Sequence, residues 1–324
     1  MGYYLILDIG GTKTTGALFS EEGRPVKDLF IVAPSKTYEG CDAVFDNTVS
    51  VGREVLEKTG VEAAGLKGIG AAAPGPLDYN TGVIINVPLM GWKDFPLGPK
   101  LEKEFGVPVR LDNDGNLGAL AEQRLGVAEG ASSVVYMTVS TGCGGGIVIN
   151  GEVYRGFTGS AGELGHMSID INGIPCNCGA NGCLELYASG TAMNRRMLRD
   201  MKNGVKSLAF EEIAYDPERI SGKILGNAAE AGDEYALAFL QEEGRYLGAG
   251  LANYFNLFDP EVFVLGGGIT HLKKWFYGEM MRTIERCAVS AVSPDRVRFS
   301  ELNDKVVVYG AYCLISEYTD TVRL

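Results

Sequence analysis

The sequence predicts an α/β protein of two related domains, and two observations carry that prediction. A strand, a glycine turn and a return strand occupy Tyr3–Phe19, and the same plan recurs at Ser133–Ile149. Around these segments, apolar runs of strand length alternate with segments of helical periodicity, as is typical of α/β folds. The internal duplication predicts two domains that face each other, with their hairpins converging on one ligand.

The first half divides into elements at its glycine and proline positions. Residues 3–9 predict a buried strand, Gly10–Thr14 a turn, and Thr15–Phe19 the return strand. Helical spacing of apolar residues predicts a helix at Ala43–Glu57, and Gly60 suits its end. The elements that follow are a strand at Leu66–Ala72 stopped by Pro74-Gly75-Pro76, a short helix at Leu97–Phe105, a strand at Val107–Leu111, and a helix from the Asp112–Asn116 turn to about Leu125.

In the second half the strongest helix prediction is Asp233–Phe258, which carries an apolar stripe. A buried strand at Val262–Leu265, three glycines and a helix from about His271 to Arg286 follow. Val306–Tyr309 favours a strand by β-propensity, whereas Asn303-Asp304 ahead of it could cap a helix. The local sequence leaves both structures open there.

Composition excludes several functional classes. A chain of 324 residues is long enough for two domains, and its net charge of −12 argues against a nucleic-acid partner. No apolar run reaches the length of a membrane span, and Asp8 comes too early for a signal sequence. The seven cysteines are an odd total, which fits a reducing compartment. The expected location is the cytoplasm.

One cluster of metal-type ligands stands out. Three cysteines at Cys-x-Cys-Gly-x-x-Gly-Cys spacing and a preceding histidine supply the four ligands that tetrahedral zinc prefers; they are His166, Cys176, Cys178 and Cys183. A disulfide is the weaker alternative. Glu163 and Glu185 bracket the set without being needed to fill it, so they are free to face a polyhydroxylated ligand. The other histidine, His271, reads as a surface or helix-cap residue.

The glycine turns suggest phosphate binding. Backbone N–H groups in such turns bind phosphate oxygens, and Asp8 could hold Mg²⁺ through water. A plain β-hairpin is the alternative. Neither the Gly-x-x-x-x-Gly-Lys-Ser/Thr nor the Gly-x-Gly-x-x-Gly motif is present there, so a dinucleotide site is disfavoured. A second glycine hairpin at Thr138–Gly146 and the triple glycine at Gly266 strengthen the phosphate interpretation.

Asp114 follows a predicted strand at a helix start, where ligands bind in α/β sheets. Its carboxylate could accept the proton of an attacking hydroxyl, or it could simply cap the helix. Asn113 could hydrogen-bond a sugar hydroxyl. Position alone does not separate these roles.

Taken together, these motifs resemble the ROK family (repressor, open reading frame, kinase) of bacterial sugar kinases, within the actin-like ATPase superfamily. The resemblance covers essentially the whole chain. The motifs are Asp8-Ile-Gly-Gly-Thr-Lys13, Pro74-Gly-Pro76, Asn113-Asp114, Gly142–Gly146, Gly162-Glu-Leu-Gly-His166, Cys176–Glu185 and Gly266–Gly268.

The resemblance implies a two-domain actin-like ATPase (RNase H-like) fold with a central cleft and a small zinc-binding knuckle. The expected domains are 1–115 plus 304–324, with the first hairpin, and 116–303, with the second hairpin, the zinc site and the long helices. A C-terminal helix at about Asp304–Glu317 would return to the first domain. A homodimer is the expected assembly.

The resemblance also implies the site residues. Asp114 would be the general base on the acceptor hydroxyl, usually the 6-OH of a hexose. Sugar contacts would come from Gly75, Asn113, Asp114, Glu163, His166 and Glu185. ATP would bind Asp8, Gly10, Gly11, Thr12, Lys13, Thr141, Gly142, Gly144, Gly145, Gly266, Gly267 and Gly268. Zinc would bind His166, Cys176, Cys178 and Cys183 as a structural metal, and Asp8 would orient Mg²⁺ through water.

The expected activity is therefore an ATP-dependent hexose kinase. Glucose is the first choice of substrate; N-acetylmannosamine, N-acetylglucosamine and fructose are alternatives. A sugar-responsive regulator without kinase activity is the rival, although the first hairpin begins within ten residues of Met1 and leaves no room for an added N-terminal DNA-binding module. One departure from glucokinase-like members lies in the second hairpin, where Ser140 replaces a glycine and Cys143 an apolar residue.

Overall fold

A computed structural model gives the structure of residues 2–321. Its strands are β1 (Tyr3–Ile9), β2 (Lys13–Ser20), β3 (Pro25–Pro34), β4 (Leu66–Ala72), β5 (Leu77–Asp78), β6 (Val83–Val87), β7 (Trp92–Phe95), β8 (Val109–Asp112), β9 (Ser133–Val139), β10 (Cys143–Ile149), β11 (Glu152–Val153), β12 (Val262–Gly266) and β13 (Val297–Phe299). Its α-helices are α1 (Cys41–Thr59), α2 (Leu97–Phe105), α3 (Asp114–Leu125), α4 (Glu185–Ala188), α5 (Gly190–Lys202), α6 (Leu208–Glu212), α7 (Gly222–Glu230), α8 (Glu234–Phe258), α9 (Lys273–Cys287) and α10 (Val306–Thr321).

The chain forms two compact units. The first contains the residues up to Gly130, Gly146–Gly162 and the chain from Asp304 onward; the second contains Ala131–Gly145 and Glu163–Asn303. The expected boundary at residue 115 would divide α3, which the structure keeps whole in the first unit. The segment 146–162 also belongs to the first unit, because the division crosses β10 after Gly145.

The sheet of the first unit has the strand order β3–β2–β1–β4–β8. β1 and β2 form the predicted antiparallel hairpin, whereas β1, β4 and β8 are parallel. α1 packs against the sheet with an apolar face that includes Val44, Val51 and Val55, each fully or almost fully buried. Gly60 ends α1 in the left-handed conformation, as expected for a glycine at that position.

The C-terminal segment is a helix, as the resemblance implied and against its local β-propensity. α10 packs on α3 and on β4. A Cβ atom at Gly70 would lie 2.1 Å from the carbonyl oxygen of Ala311, and one at Gly310 would lie 2.0 Å from that of Leu117. These glycines let the helix approach so closely that packing overrides the strand preference of Val306–Tyr309.

The second sheet has the order β11–β10–β9–β12–β13. In the second unit β9, β12 and β13 are parallel, and α8 and α9 form its most extensively packed helix pair. Asp233 caps α8 by accepting the N–H of Ala236 at 2.8 Å. The expected start of α9 at His271 lies instead in a single 3₁₀ segment, Gly268–Leu272, that precedes the helix.

Several elements have no counterpart in the sequence prediction. They include β3, the small β5–β6–β7 sheet, β11, β13 and the helices α4 to α7. These elements are short or irregular in periodicity, so a pattern of apolar spacing does not separate them from loops. No helix within residues 2–321 is both long and apolar enough to cross a lipid bilayer.

Candidate active site

Parallel pairing in the first sheet brings two distant acidic motifs to one edge. Asp8 at the end of β1 pairs in register with Ala72 of β4, which pairs with Asp112 of β8. The carboxyl ends of these strands therefore carry Asp8, the Pro74-Gly75-Pro76 turn and the Asn113-Asp114 pair. This is the edge at which open α/β sheets bind ligands.

The structure separates the two roles that the sequence left open for Asp114. Asn113 is the N-cap of α3, and its Oδ1 accepts the N–H of Asn116 at 2.7 Å. Asp114 is the first residue inside the helix, and one of its oxygens accepts the N–H of Gly115 at 2.9 Å. Because Asn113 supplies the cap, the carboxylate of Asp114 is not needed for that purpose.

Both carboxylates at this edge hold protons more tightly than an ordinary aspartate. The side chain of Asp114 remains open to solvent, yet protein atoms surround it on most sides, and desolvation raises its pKa against the opposing hydrogen bond from Gly115. Burial, followed by the charge of Asp114, raises the pKa of Asp8 to about 6, while Lys13 acts in the opposite direction. Perturbed carboxylates of this kind cluster at functional sites.

A buried ion pair that the sequence analysis missed lies beneath Asn113 and Asp114. Asp112 is only 2% exposed, and its Oδ2 accepts hydrogen bonds from Nε and Nη2 of Arg155 at 2.8 and 2.7 Å. Its Oδ1 accepts the N–H of Asn113 at 2.8 Å and the side-chain amide of Asn116 at 2.9 Å. The guanidinium of Arg155 lies 3.6 Å from the ring centre of Tyr79. An isolated arginine in a glycine-rich stretch gives no sequence signal for such a role.

The first glycine hairpin is tight, and its tip is open. The N–H of Gly10 donates to the carbonyl of Lys13 at 3.0 Å, which closes a two-residue turn with Thr12 and Lys13 exposed. Gly75 also has space beside it, since a Cβ there would meet only the N atom of Leu77, at 3.8 Å. The hairpin tip and Gly75 are thus both able to approach a ligand closely.

The second hairpin borders a cavity of about 720 Å³ in the second unit. Ser140 and Thr141 line one side, and Gly268 lines another. No atom lies within 4 Å of the Cβ position at Gly268, so this glycine faces open space. The cavity is within the size range of small-molecule and cofactor sites.

The remaining cavity wall comes from helices that the sequence analysis did not predict. α5 and α7 both begin there, with Gly190, Thr191, Gly222 and Lys223 in the lining. The first N–H groups of α5 are used within the protein, since Gly190 and Thr191 donate to the carbonyls of Ser140 and Thr141 at 2.7 and 3.2 Å. At α7 the Ser221 side chain caps no N–H group, and an uncapped helix N-terminus of this kind favours anions. His271 and Trp275 also line the cavity, and the ring of Trp275 lies beside Gly226 of α7. His271 is exposed, as expected of a surface residue, and it also lines the cavity, which the sequence analysis did not predict.

Not every predicted glycine faces the cavity. A Cβ at Gly145 would lie 2.6 Å from the carbonyl oxygen of Tyr136, and one at Gly266 would lie 2.9 Å from the ring of the same tyrosine. Gly267 has a φ of 83°, which only glycine adopts readily. These three glycines are required by strand packing and by the turn. Thr141 and Gly268 are the residues of the predicted ATP set that line the cavity.

The four predicted metal ligands meet in space. Ligand atoms of His166, Cys176, Cys178 and Cys183 all lie within 4.8 Å of one another. Sγ of Cys178 and of Cys183 are 3.5 Å apart, and Sγ of Cys176 is 3.7 Å from Nδ1 of His166. A tetrahedral site with Zn–S bonds of about 2.3 Å places its ligand atoms roughly 3.8 Å apart, so the donor set and its spacing fit zinc. The sulfur separation also excludes a disulfide between Cys178 and Cys183, because an S–S bond is about 2 Å long.

Glu185 links the four-ligand cluster of His166, Cys176, Cys178 and Cys183, called the knuckle below, to the second hairpin. It begins α4 two residues after Cys183, and its Oε2 accepts the N–H of Cys143 at 2.9 Å. A Cβ at Gly142 would lie 2.5 Å from the same oxygen, so only glycine permits this approach. Glu163 is exposed and directly precedes the 3₁₀ turn that carries His166. The structure thus places Glu163, His166 and Glu185 around one knuckle, within the second unit.

The fold and these sites define a two-unit α/β protein of the actin-like ATPase type, with a glycine hairpin in each half. A family model described as "ROK family" matches residues 4–318, and the chain belongs to the ROK family. It is 33% identical to a glucokinase of Halalkalibacterium halodurans over 326 residues, which cover 99% of this chain and 97% of that protein. It is also 33% identical to the xylose repressor of Bacillus subtilis over 268 residues, which cover 83% of this chain and 65% of the repressor.

Among solved structures, a ROK family glucokinase of Streptomyces griseus in complex with glucose and AMPPNP has a TM-score of 0.79 and 30% identity, with 96% of this chain and 98% of that chain covered. The resemblance drawn from the motifs is thereby confirmed at the level of family and fold.

Proposed function

We propose that this protein is an ATP-dependent kinase that transfers the γ-phosphoryl group to a hexose hydroxyl, with Asp114 as the general base. The observation that carries the proposal is the state of Asp114. It stands at the carboxyl edge of the first sheet, is relieved of the capping role by Asn113, and has its pKa raised by its surroundings. A base needs a pKa nearer the working pH than that of an ordinary aspartate.

The nucleotide is assigned to the cavity of the second unit. Its volume of about 720 Å³ suits a nucleoside triphosphate, and the uncapped N-terminus of α7 favours phosphate. Glucose and AMPPNP in the Streptomyces griseus relative support this choice of ligands. Thr141 and Gly268 would contact ATP there. The first hairpin, Gly10–Lys13, is retained as a proposed phosphate-binding turn.

Asn113 and Asp114 are proposed sugar contacts, and so are Glu163, His166 and Glu185. Asn113 uses Oδ1 for the helix cap, so its amide N–H groups are what it can offer a hydroxyl. If Nδ1 of His166 ligates zinc, Nε2 stays available as a sugar contact. Zinc would act structurally, by fixing the positions of Glu185 and His166.

The chemistry follows from positioning and charge. Asp114 would take the proton of the acceptor hydroxyl as the new O–P bond forms and the bond to the β-phosphate breaks, with ADP as the leaving group. Mg²⁺, when bound, neutralises charge on the phosphates, and Asp8 would orient it through a water molecule. Lys13 beside Asp8 favours the ionised form of Asp8, which this role needs.

The test compares Asp114→Asn with Asp46→Asn, which removes a charge from an exposed position of α1. ADP release would be measured with a panel of glucose, N-acetylmannosamine, N-acetylglucosamine and fructose. Asp114→Asn should lower kcat by about 10² to 10⁴, the range typical of a general base. Sugar affinity by calorimetry should stay within about tenfold, and Asp46→Asn should behave as the wild type. Near-normal turnover in Asp114→Asn would rule out Asp114 as the base.

The panel also separates the substrates and the rival function. Glucose is the first candidate because of the glucokinase relatives. The xylose repressor relatives make a sugar-binding regulator the second candidate. A regulator would bind a sugar but release no ADP with any of them. A homodimer stays a prediction, which light scattering would measure.

A further inference from the structure

We propose that Arg155 is a positioning residue for Asp114, acting through Asp112; this rests on the proposed kinase function. Asp112, the Asn113-Asp114 pair, Tyr79 and Arg155 all belong to the first unit. All three guanidinium nitrogens of Arg155 already have protein partners. Nε and Nη2 bind Asp112, Nη1 lies 3.4 Å from the carbonyl of Val153, and the guanidinium stacks on Tyr79.

The argument starts from Asp112. A carboxylate that is 2% exposed must have its charge compensated, and Arg155 supplies the only cation bound to it among residues 2–321. With Oδ2 held by Arg155, Oδ1 is directed at the N–H of Asn113 and at the side chain of Asn116. The orientation of one carboxylate thus positions the cap residue of α3 and the side chain of Asn116.

The next step reaches Asp114. Its main chain lies between Asn113 and Gly115, and both neighbours are held: Asn113 through Asp112, and Gly115 through the carboxylate of Asp114 itself. The Oδ1 of Asn113 in turn accepts the N–H of Asn116. A rotation of Asp112 would release the cap and let the Asp114 carboxylate move, and a misplacement of about 1 Å is enough to cost on the order of 10²-fold in rate.

A second observation shows that the geometry of Arg155 matters as well as its charge. Arg155 contacts strand β8 through Asp112 and the loop after β5 through Tyr79, so its planar group joins the strand that leads to Asp114 to a second segment of the first unit. The two donors of Arg155 converge on Oδ2 of Asp112 while the planar group stacks on Tyr79, and the compact ammonium of lysine cannot make both contacts in this geometry. Arg155→Lys should therefore lose part of the turnover although the positive charge is kept.

The experiment measures kcat and KM for wild type, Arg155→Gln, Arg155→Lys and a matched control, Arg124→Gln. Arg124 also joins α3 to segment 146–162, through Gly151 at 3.0 Å, and binds Glu317, but at the other end of the helix. We expect kcat to fall at least tenfold in Arg155→Lys and about a hundredfold in Arg155→Gln, with sugar KM within threefold. Arg124→Gln should keep its kcat even where its melting temperature falls. Wild-type kcat in both Arg155 variants would overturn the proposal, whatever their stability.

Hydrogen exchange of the peptide 112–117 gives a readout that does not need turnover. Exchange should accelerate there in Arg155→Gln and not in Arg124→Gln. The main-chain N–H of Asn113 loses its acceptor on Asp112, and a displaced Asn113 no longer accepts the main-chain N–H of Asn116. Unchanged protection of this peptide in Arg155→Gln would overturn the positioning role. If the wild type phosphorylates no sugar, the proposed function fails, while the exchange result still decides whether Arg155 orders this turn.

Discussion

Asp8→Asn is expected to stabilise the protein at alkaline pH more than at acidic pH. Burial and the charge of Asp114 raise the pKa of Asp8 from 3.8 to about 6. The folded protein therefore holds this proton more tightly than the unfolded chain, and stability is lost as the pH rises through that window. Asparagine carries no charge at any pH, so the variant escapes the loss.

The magnitude follows from the two pKa values. With 3.8 in the unfolded chain and about 6 in the folded protein, the loss is about 1.6 kcal/mol at pH 5 and about 3 kcal/mol at pH 8. Urea unfolding of wild type and Asp8→Asn at both pH values measures the difference, with an unchanged m-value as the check that only stability moved. Asp46→Asn is the control and should show no such pH dependence. A stability gain in Asp8→Asn that is absent, or equal at pH 5 and pH 8, would refute the reasoning.

Two further variants test the cavity and the knuckle. The Cβ position of Gly268 faces open space, so Gly268→Val should fold normally but fill part of the cavity and raise the KM for ATP at least tenfold. Gly278→Val, in α9 and outside the cavity lining, is the control. An unchanged KM in Gly268→Val would mean that ATP binds elsewhere. Cys178→Ser should lose stoichiometric zinc by elemental analysis and weaken sugar binding, whereas the exposed Cys287→Ser should do neither. One zinc per chain in Cys178→Ser with unchanged sugar affinity would contradict the prediction that the knuckle binds zinc and supports sugar binding.

The sequence predicts the parts of this fold that repeat or alternate regularly. The Tyr3–Ile9 strand, the α1 helix with its terminal Gly60 and the long α8 helix are confirmed close to their expected bounds. The metal cluster is also predictable, because its four ligand types and their spacing leave few other arrangements. In each case the signal is local, since neighbouring residues alone set the pattern.

The sequence does not indicate which residues far apart in the chain come into contact. Asp112 and Arg155 are 43 positions apart, and nothing near either residue indicates that they form a pair. The helix at Val306–Thr321 depends on Gly70 and Gly310, whose missing side chains admit it, and not on its own β-branched residues. The cavity wall at Gly190 and Gly222 escaped prediction for the same reason, because two short helices become a wall only once they are folded together.

The hydrogen bond between Cys143 and Glu185 constrains the main chain of Cys143 but not its side chain. Its main-chain N–H holds the acid, so any amino acid with that group can serve, and the thiol found here is an acceptable replacement for an apolar side chain. Nineteen residue types can therefore donate this hydrogen bond to Glu185 from position 143, and proline, which has no main-chain N–H, is the one that cannot.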